Sequence, residues 1–177
     1  RFVNDPLPVF IYNVEDVIVE KTVTMVYGEN TVAIVYRIIG GKASLKLRLT
    51  PLVNFRDHHH NSNRSHMVFG KTKIPQGVII NPYNIPQINI AITCSDADFT
   101  IEEDCWFINM YYPVEEERGL PSLEDHFIPG YFDVEAGPGE EKHATVIATL
   151  ENGIKERDGN VLIEKERKRL GMLLDTA

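Results

Sequence analysis

The sequence has two cysteines, Cys94 and Cys105, and a single tryptophan, Trp106. Two thiols cannot build the disulfide framework of a small secreted scaffold, and they lack the paired spacing of a zinc ribbon or a redox motif. No stretch approaches the roughly 18 consecutive apolar residues of a membrane helix, and no basic segment leads into an apolar run as in a secretory signal. Cations are also short: 18 Lys and Arg stand against 26 Asp and Glu, a formal net charge of −8. Nucleic-acid affinity rests on clustered cations that release counterions from phosphates, so this balance points to neutral partners instead. No Gly-rich loop followed by Lys is present to cradle nucleotide phosphates. The expectation is a reduced, cytoplasmic protein without membrane segment, nucleic-acid partner, metal or organic cofactor.

With 177 residues, 43% of them hydrophobic, the chain is long enough to bury roughly 70% of its unfolded surface in one core. Residues 14–26 are rich in Val, Ile and Thr, with Val17, Val19, Val23 and Met25 on one parity, and predict one long half-buried strand. Gly28, Glu29 and Asn30 form a turn before a second β-branched run at 31–39, which predicts a hairpin. Leu45, Leu47 and Leu49 alternate with polar residues up to Pro51, and residues 55–67 read as a polar, His-rich loop. Further strands are expected near 78–80, 87–93, 105–112, 131–135 and 143–150. Short connections without room for crossover helices indicate antiparallel sheets, hence an all-β, two-sheet β-sandwich spanning 1–151. Residues 152–177 differ: Leu162, Leu170, Leu173 and Leu174 group at helical spacing, so a loop and a helix follow, the helix either lying on the sandwich or leading into a further domain. Arg1 in place of Met, and the change of character near the C-terminus, lead us to expect that both ends are boundaries within a longer polypeptide.

Four groups of residues could carry chemistry. His58 and His60 would share a face in a strand and could chelate a metal, but no carboxylate follows within 61–65 to complete a ligand set. Arg56 and Asp57 adjoin at a strand end, where they can order a loop through charge-assisted hydrogen bonds or form a local ion pair of structural value only. Glu115, Glu116, Glu117, Glu124 and Asp125 form an acidic cluster. Glycoside hydrolysis would need two such carboxylates across a scissile bond, whereas a solvated acidic loop partly paired with Arg118 explains the run without chemistry. Trp106, Tyr111 and Tyr112 could stack on pyranose rings, although alternation puts Trp106, Ile108 and Met110 on one strand face as core packing.

Four stretches, taken in order, resemble a known family: Lys-Thr-Val-Thr-Met-Val-Tyr-Gly-Glu-Asn-Thr at 21–31, Leu-Thr-Pro-Leu-Val-Asn-Phe-Arg-Asp-His-His at 49–59, Tyr112-x-x-Glu115-x-x-Arg118-Gly119, and Glu124-Asp125-x-Phe127-x-Pro129-Gly130. Together they are similar to the N-terminal domain of bacterial and archaeal glycogen-debranching enzymes of the amylo-α-1,6-glucosidase type. The resemblance implies a supersandwich packed on an (α/α)6 barrel of the same polypeptide, the barrel holding the acids that hydrolyse α-1,6-linked glucose at branch points of glycogen or a related α-glucan. By the same resemblance Arg56, Asp57 and His59 lie in one loop, and Tyr112, Glu115, Arg118, Glu124 and Asp125 in a second region, that bind substrate or face the barrel. No catalytic residue is assigned within the chain, and an aromatic commonly stands where His58 is. Two other readings stay open: a purely structural domain that braces the barrel, and an aldose-epimerase-like sandwich enzyme using a His and a Glu as acid and base.

Overall fold

Alternation of apolar and polar side chains dictates half-buried strands, and a computed structural model, which describes residues 1–4, 6–154 and 156–175, shows eleven of them among those residues. Eight form one antiparallel sheet in the order β1 (Phe2–Asn4), β2 (Pro8–Val14), β3 (Val17–Met25), β4 (Thr31–Ile39), β11 (Glu141–Thr149), β8 (Ile90–Cys94), β7 (Gly77–Pro82), β6 (Phe69–Ile74). Three form a smaller sheet in the order β5 (Leu45–Leu49), β10 (Leu123–Ala136), β9 (Phe99–Tyr111). The two sheets pack face to face, as the sequence predicts. The core between them is built from Ile38, Val78, Ile80 and Ile92 of the large sheet and Phe99, Phe127, Phe132 and Val134 of the small one.

Registers assign the faces. On β4, Ile34, Tyr36 and Ile38 share the inner face, while Ala33 and Val35 point outward to the C-terminal helix α2 (Gly159–Leu174). The helix buries Leu162 and Ile163 there and is capped by Asp158, whose carboxylate accepts from the Asn160 amide at 2.9 Å. Its first residue sits so close to the sheet that a Cβ on Gly159 would meet Val35 Cγ2 at 2.3 Å. The helix thus packs on the outer face of the large sheet. The large sheet is wider than its partner, and on β1 to β3 the inner-face residues Phe2, Tyr12, Val14 and Met25 remain exposed.

Four expectations are corrected. The strand foreseen over 14–26 is the end of one strand and the whole of the next, joined by a tight turn in which Glu15 adopts φ 55°. Strands β1 and β6 and most of β2 lie outside the stretches in which strands are expected. Strand β10 begins at Leu123, well before the 131–135 stretch, and takes in the Glu124–Gly130 motif. Finally, Asn109 adopts φ 57° in β9 opposite a register shift in β10, and this bulge reverses the alternation. Trp106 therefore pairs with Phe127 and Met110 with Glu124, on opposite faces of the small sheet.

Candidate functional site

The chain leaves β5 through Pro51 and crosses to β10, where the Val53 and Phe127 amides donate to each other's carbonyls at 2.9 Å. It then runs beside the start of β10 as the loop 54–66. Two adjacent acids of β10 hold that loop from opposite faces. Glu124 is buried; its Oε1 accepts from Arg56 Nε at 2.5 Å and from the Ser62 amide at 2.9 Å, and its Oε2 accepts from the Tyr112 hydroxyl at 2.8 Å. Asp125 accepts from the Arg64 amide at 3.0 Å and from the bulged Asn109 amide at 2.9 Å, while its own amide donates to the Ser62 carbonyl. Asn61 Nδ2 adds a bond to the Pro121 carbonyl at 2.7 Å.

These contacts decide the protonation state of both acids. Burial alone would push the Glu124 carboxyl up, but the Ser62 amide, the Arg56 guanidinium and the Tyr112 hydroxyl outweigh it and hold the group below its ordinary 4.5. Asp125 is held below 3.8 chiefly by the Arg64 and Asn109 amides. Burial, followed by the Glu124 carboxylate, drives the Tyr112 hydroxyl the other way, upward. Because both carboxyls titrate lower in the folded chain than in the unfolded one, they stabilise the fold above the ordinary values of 4.5 and 3.8 and lose that contribution as pH falls through the folded-state values. The thermal midpoint should accordingly hold steady from about pH 7 to about pH 5 and drop below about pH 4.5. In Glu124→Gln the drop should be shallower; an identical slope in the variant would show that Glu124 is not ionised in the folded state.

On the outer side of the loop lies a groove of about 570 Å³, lined by Arg56, His58, His59, Tyr112, Glu115 and Arg118 among others. Its far wall is the short helix α1 (Pro113–Glu117), started by Pro113 and ended by Gly119 at φ 72°. Arg118 stays exposed, its Nη1 3.6 Å from Glu115 Oε1, and both side chains line the groove. Asp57 lies outside the lining: its Oδ1 accepts from the His59 amide at 2.9 Å and so sets the turn that presents His58 and His59. The ring centroids of His58 and His59 lie 3.8 Å apart, with the planes tilted by 39°.

The eight residues singled out from sequence thus come together in one region but divide by position. Arg56, His59, Tyr112, Glu115 and Arg118 line the groove, Asp57 shapes its rim, and Glu124 and Asp125 lie buried beneath it. Two readings of the residues change. Arg56 does not pair with the Asp57 carboxylate; its partner is Glu124, 68 positions away, and only the Asp57 carbonyl receives its Nη1, at 3.1 Å. Nor is the acidic cluster uniformly solvated, since Glu124 and Asp125 are buried where tertiary hydrogen-bond donors satisfy them. Sequence reasoning passed over Ser62 and Arg64, which contribute backbone amides that no side-chain pattern reveals, and His126, whose Nε2 sits 3.3 Å from the Tyr112 hydroxyl. No three His, Cys, Asp or Glu side chains converge in a metal-binding arrangement among the described residues. None of the described helices is long and apolar enough to cross a membrane.

No curated protein matches the sequence. Among solved structures the chain is similar to a polysaccharide lyase, at 12% identity and a TM-score of 0.45 over 89% of this chain and 23% of that one. It is also similar to a protein assigned as a kojibiose phosphorylase from the human microbiome, at 7% identity and a TM-score of 0.41 over 92% of this chain and 20% of that one. The chain therefore spans less than a quarter of the length of either structure. The family described as "Glycogen debranching enzyme N terminal" matches residues 1–143, most of the chain and all the strands that frame the groove. The chain belongs to the glycogen debranching enzyme N-terminal family.

Proposed function

We propose that this chain is a non-catalytic sandwich domain, with residues 152–177 leading from it, that helps to bind and position branched α-glucan for hydrolysis of α-1,6 branch points by a helical catalytic domain of the same cytoplasmic polypeptide. The observation that carries this reading is the make-up of the groove. It offers the guanidinium of Arg118, the Arg56 Nη hydrogens not taken by Glu124 and Asp57, and the rings of Tyr112, His58 and His59 to a polyhydroxylated ligand, yet Glu115 is the one carboxylate among its described lining residues. Hydrolysis of a glycosidic bond ordinarily requires two carboxyl groups flanking it, so the groove is equipped to hold sugar and not to cleave it. An epimerase-like acid–base pair does exist in outline, with His126 Nε2 3.9 Å from Glu124 Oε2. Both residues are buried, and both Glu124 oxygens are already taken by protein donors.

A polar open groove on a lone domain should bind weakly, with a dissociation constant of about 1 mM, or about −4 kcal/mol. Isothermal calorimetry with phosphorylase limit dextrin should detect this heat, and Arg118→Ala, which removes an exposed side chain, should weaken it about tenfold. Absence of heat with the wild-type chain would remove the glucan-contact reading. It would leave a domain that braces the catalytic domain, a second reading favoured by the exposed apolar residues Phe2, Tyr12, Val14 and Met25 on the uncovered end of the large sheet.

A further inference from the structure

A second opening lies at the other end of the loop that borders the groove, between the β6 edge of the large sheet and the β9 edge of the small one. This cleft encloses about 490 Å³ and is lined by Trp106, Phe69, Arg64, Lys71, Glu103 and Asp104, with Phe127 at its base. Its volume falls within the roughly 300–1,000 Å³ of ordinary small-ligand sites. The half-buried Trp106 indole rests against Phe127, centroids 5.2 Å apart, and Phe127 stacks on Phe69 at 4.9 Å, so an aromatic floor backs the ring. Its orientation is fixed at the edge as well: Nε1 donates to Asp104 Oδ1 at 3.1 Å, and Asp104 adopts the left-handed φ of 46° that brings its carboxylate there. Strained backbone of this kind concentrates at ligand sites.

We propose that this cleft is a saccharide subsite, separate from the groove, in which a pyranose ring of a neutral α-glucan stacks on Trp106. The inference deepens the glucan-binding reading above and rests on it. The charge content selects the ligand. Two cations, Arg64 and Lys71, face two carboxylates, Glu103 and Asp104, so the cleft carries no net charge to favour a phosphate or a metal ion. Planar guanidinium and carboxylate groups match the paired hydroxyls of a sugar, while the apolar C–H face of a pyranose matches the indole. Lys71 is committed, donating to the Glu102 carbonyl and lying 3.5 Å from Glu103. The Arg64 guanidinium makes no hydrogen bond or ion pair with any described residue, although its backbone amide is anchored on Asp125. Arg64 is exposed, so its guanidinium donors can reach a ligand in the cleft.

Because Trp106 is the only tryptophan in the chain, its emission reports on this cleft alone. Titration of the whole chain with maltoheptaose, followed by fluorescence and calorimetry together, should give a saturable emission change with a midpoint near 1 mM, retained in Arg118→Ala and weakened about tenfold in Arg64→Ala. Arg64→Ala keeps the backbone anchor and the aromatic floor, so circular dichroism should show it folded. Binding heat that Arg118→Ala abolishes, with Trp106 emission unmoved throughout, would overturn the subsite and leave the groove reading standing. Neither heat nor emission change would overturn both. An emission change that Arg64→Ala leaves at wild-type strength would also overturn the assignment of the cleft.

Discussion

Replacing Glu124 by alanine is expected to cost about 3–5 kcal/mol of folding stability, the range found when one partner of a buried charge pair is removed. Its two oxygens satisfy Arg56 Nε, the Ser62 amide and the Tyr112 hydroxyl at 2.5, 2.9 and 2.8 Å. Without them a buried amide and a half-buried guanidinium lose their acceptor together. Against a total stability of about 5–15 kcal/mol for an ordinary domain, such a loss is large. Urea unfolding should show a lower midpoint with an unchanged slope, since the surface exposed on unfolding changes little. The groove should fail along with the stability, because Arg56 and the loop beyond it owe their position to this carboxylate. Glu124→Gln retains the shape and part of the bonding and should cost less, about 1–3 kcal/mol. A loss below about 1 kcal/mol in the alanine variant would mean that Arg56 finds another acceptor, and the brace assigned to Glu124 would be wrong.

Gly130→Ala is expected to be at least as damaging as many core truncations, at about 3 kcal/mol or more. Gly130 has φ 151°, a conformation that L side chains rarely adopt, and sits at an irregularity where β10 passes β9. A Cβ there would stand 2.0 Å from the Thr100 carbonyl oxygen and 2.7 Å from Phe99 Cζ. Neither neighbour can yield: one is backbone of the adjoining strand, and the other is a fully buried ring packed edge-on against Phe132 at 4.9 Å. Gly119 supplies the control. It too has a positive φ, 72°, yet nothing lies within 4 Å of its would-be Cβ, so Gly119→Ala should cost only about 1 kcal/mol of conformational strain. Equal effects in the two variants, read from their urea midpoints, would show that backbone conformation and not the close approach makes Gly130 necessary.

The strands that the sequence revealed are those whose alternation meets the ordinary physics of a half-buried sheet: the β-branched runs of β3 and β4, the Leu45, Leu47, Leu49 series of β5, and β11. Those it hid are instructive. The turn between β2 and β3 is made by Glu15 and Asp16, with Glu15 in a left-handed conformation usually given to Gly or Asn, so no turn signal interrupts the apolar run. Strand β6 places Lys71 on the inner-face parity opposite Ile80, where its stem is covered and its ammonium escapes to a neighbouring carbonyl. An inward lysine on an edge strand blurs alternation while it discourages edge-to-edge pairing. The first half of β10 holds Glu124, Asp125, His126, Pro129 and Gly130, a composition that reads as loop in isolation. It is a strand because Arg56 and the 62–64 backbone supply the bonds its acids need. The site followed the same rule. Its residues were legible as a group through the family resemblance, but the division between groove-lining and buried members depends on partners more than 60 positions apart, which spacing along the chain does not encode.

The order of strands in the large sheet also fixes a sequence of events in time. Strand β11, ending at Thr149, lies between β4 and β8 and is hydrogen-bonded to both. Until it has been synthesised, the ribbon β1 to β4 and the ribbon β6 to β8 have no common strand, and each presents a bare edge at the side where β11 will insert. Insertion must close a loop of about a hundred residues back to β4 and one of about fifty back to β8, which places the chain among slow folders whose non-local pairings form on the millisecond-to-second scale. During translation the two half-sheets therefore wait, edges open, for a strand near the end of this domain, and that interval is when the nascent chain is most exposed to mispairing with its neighbours.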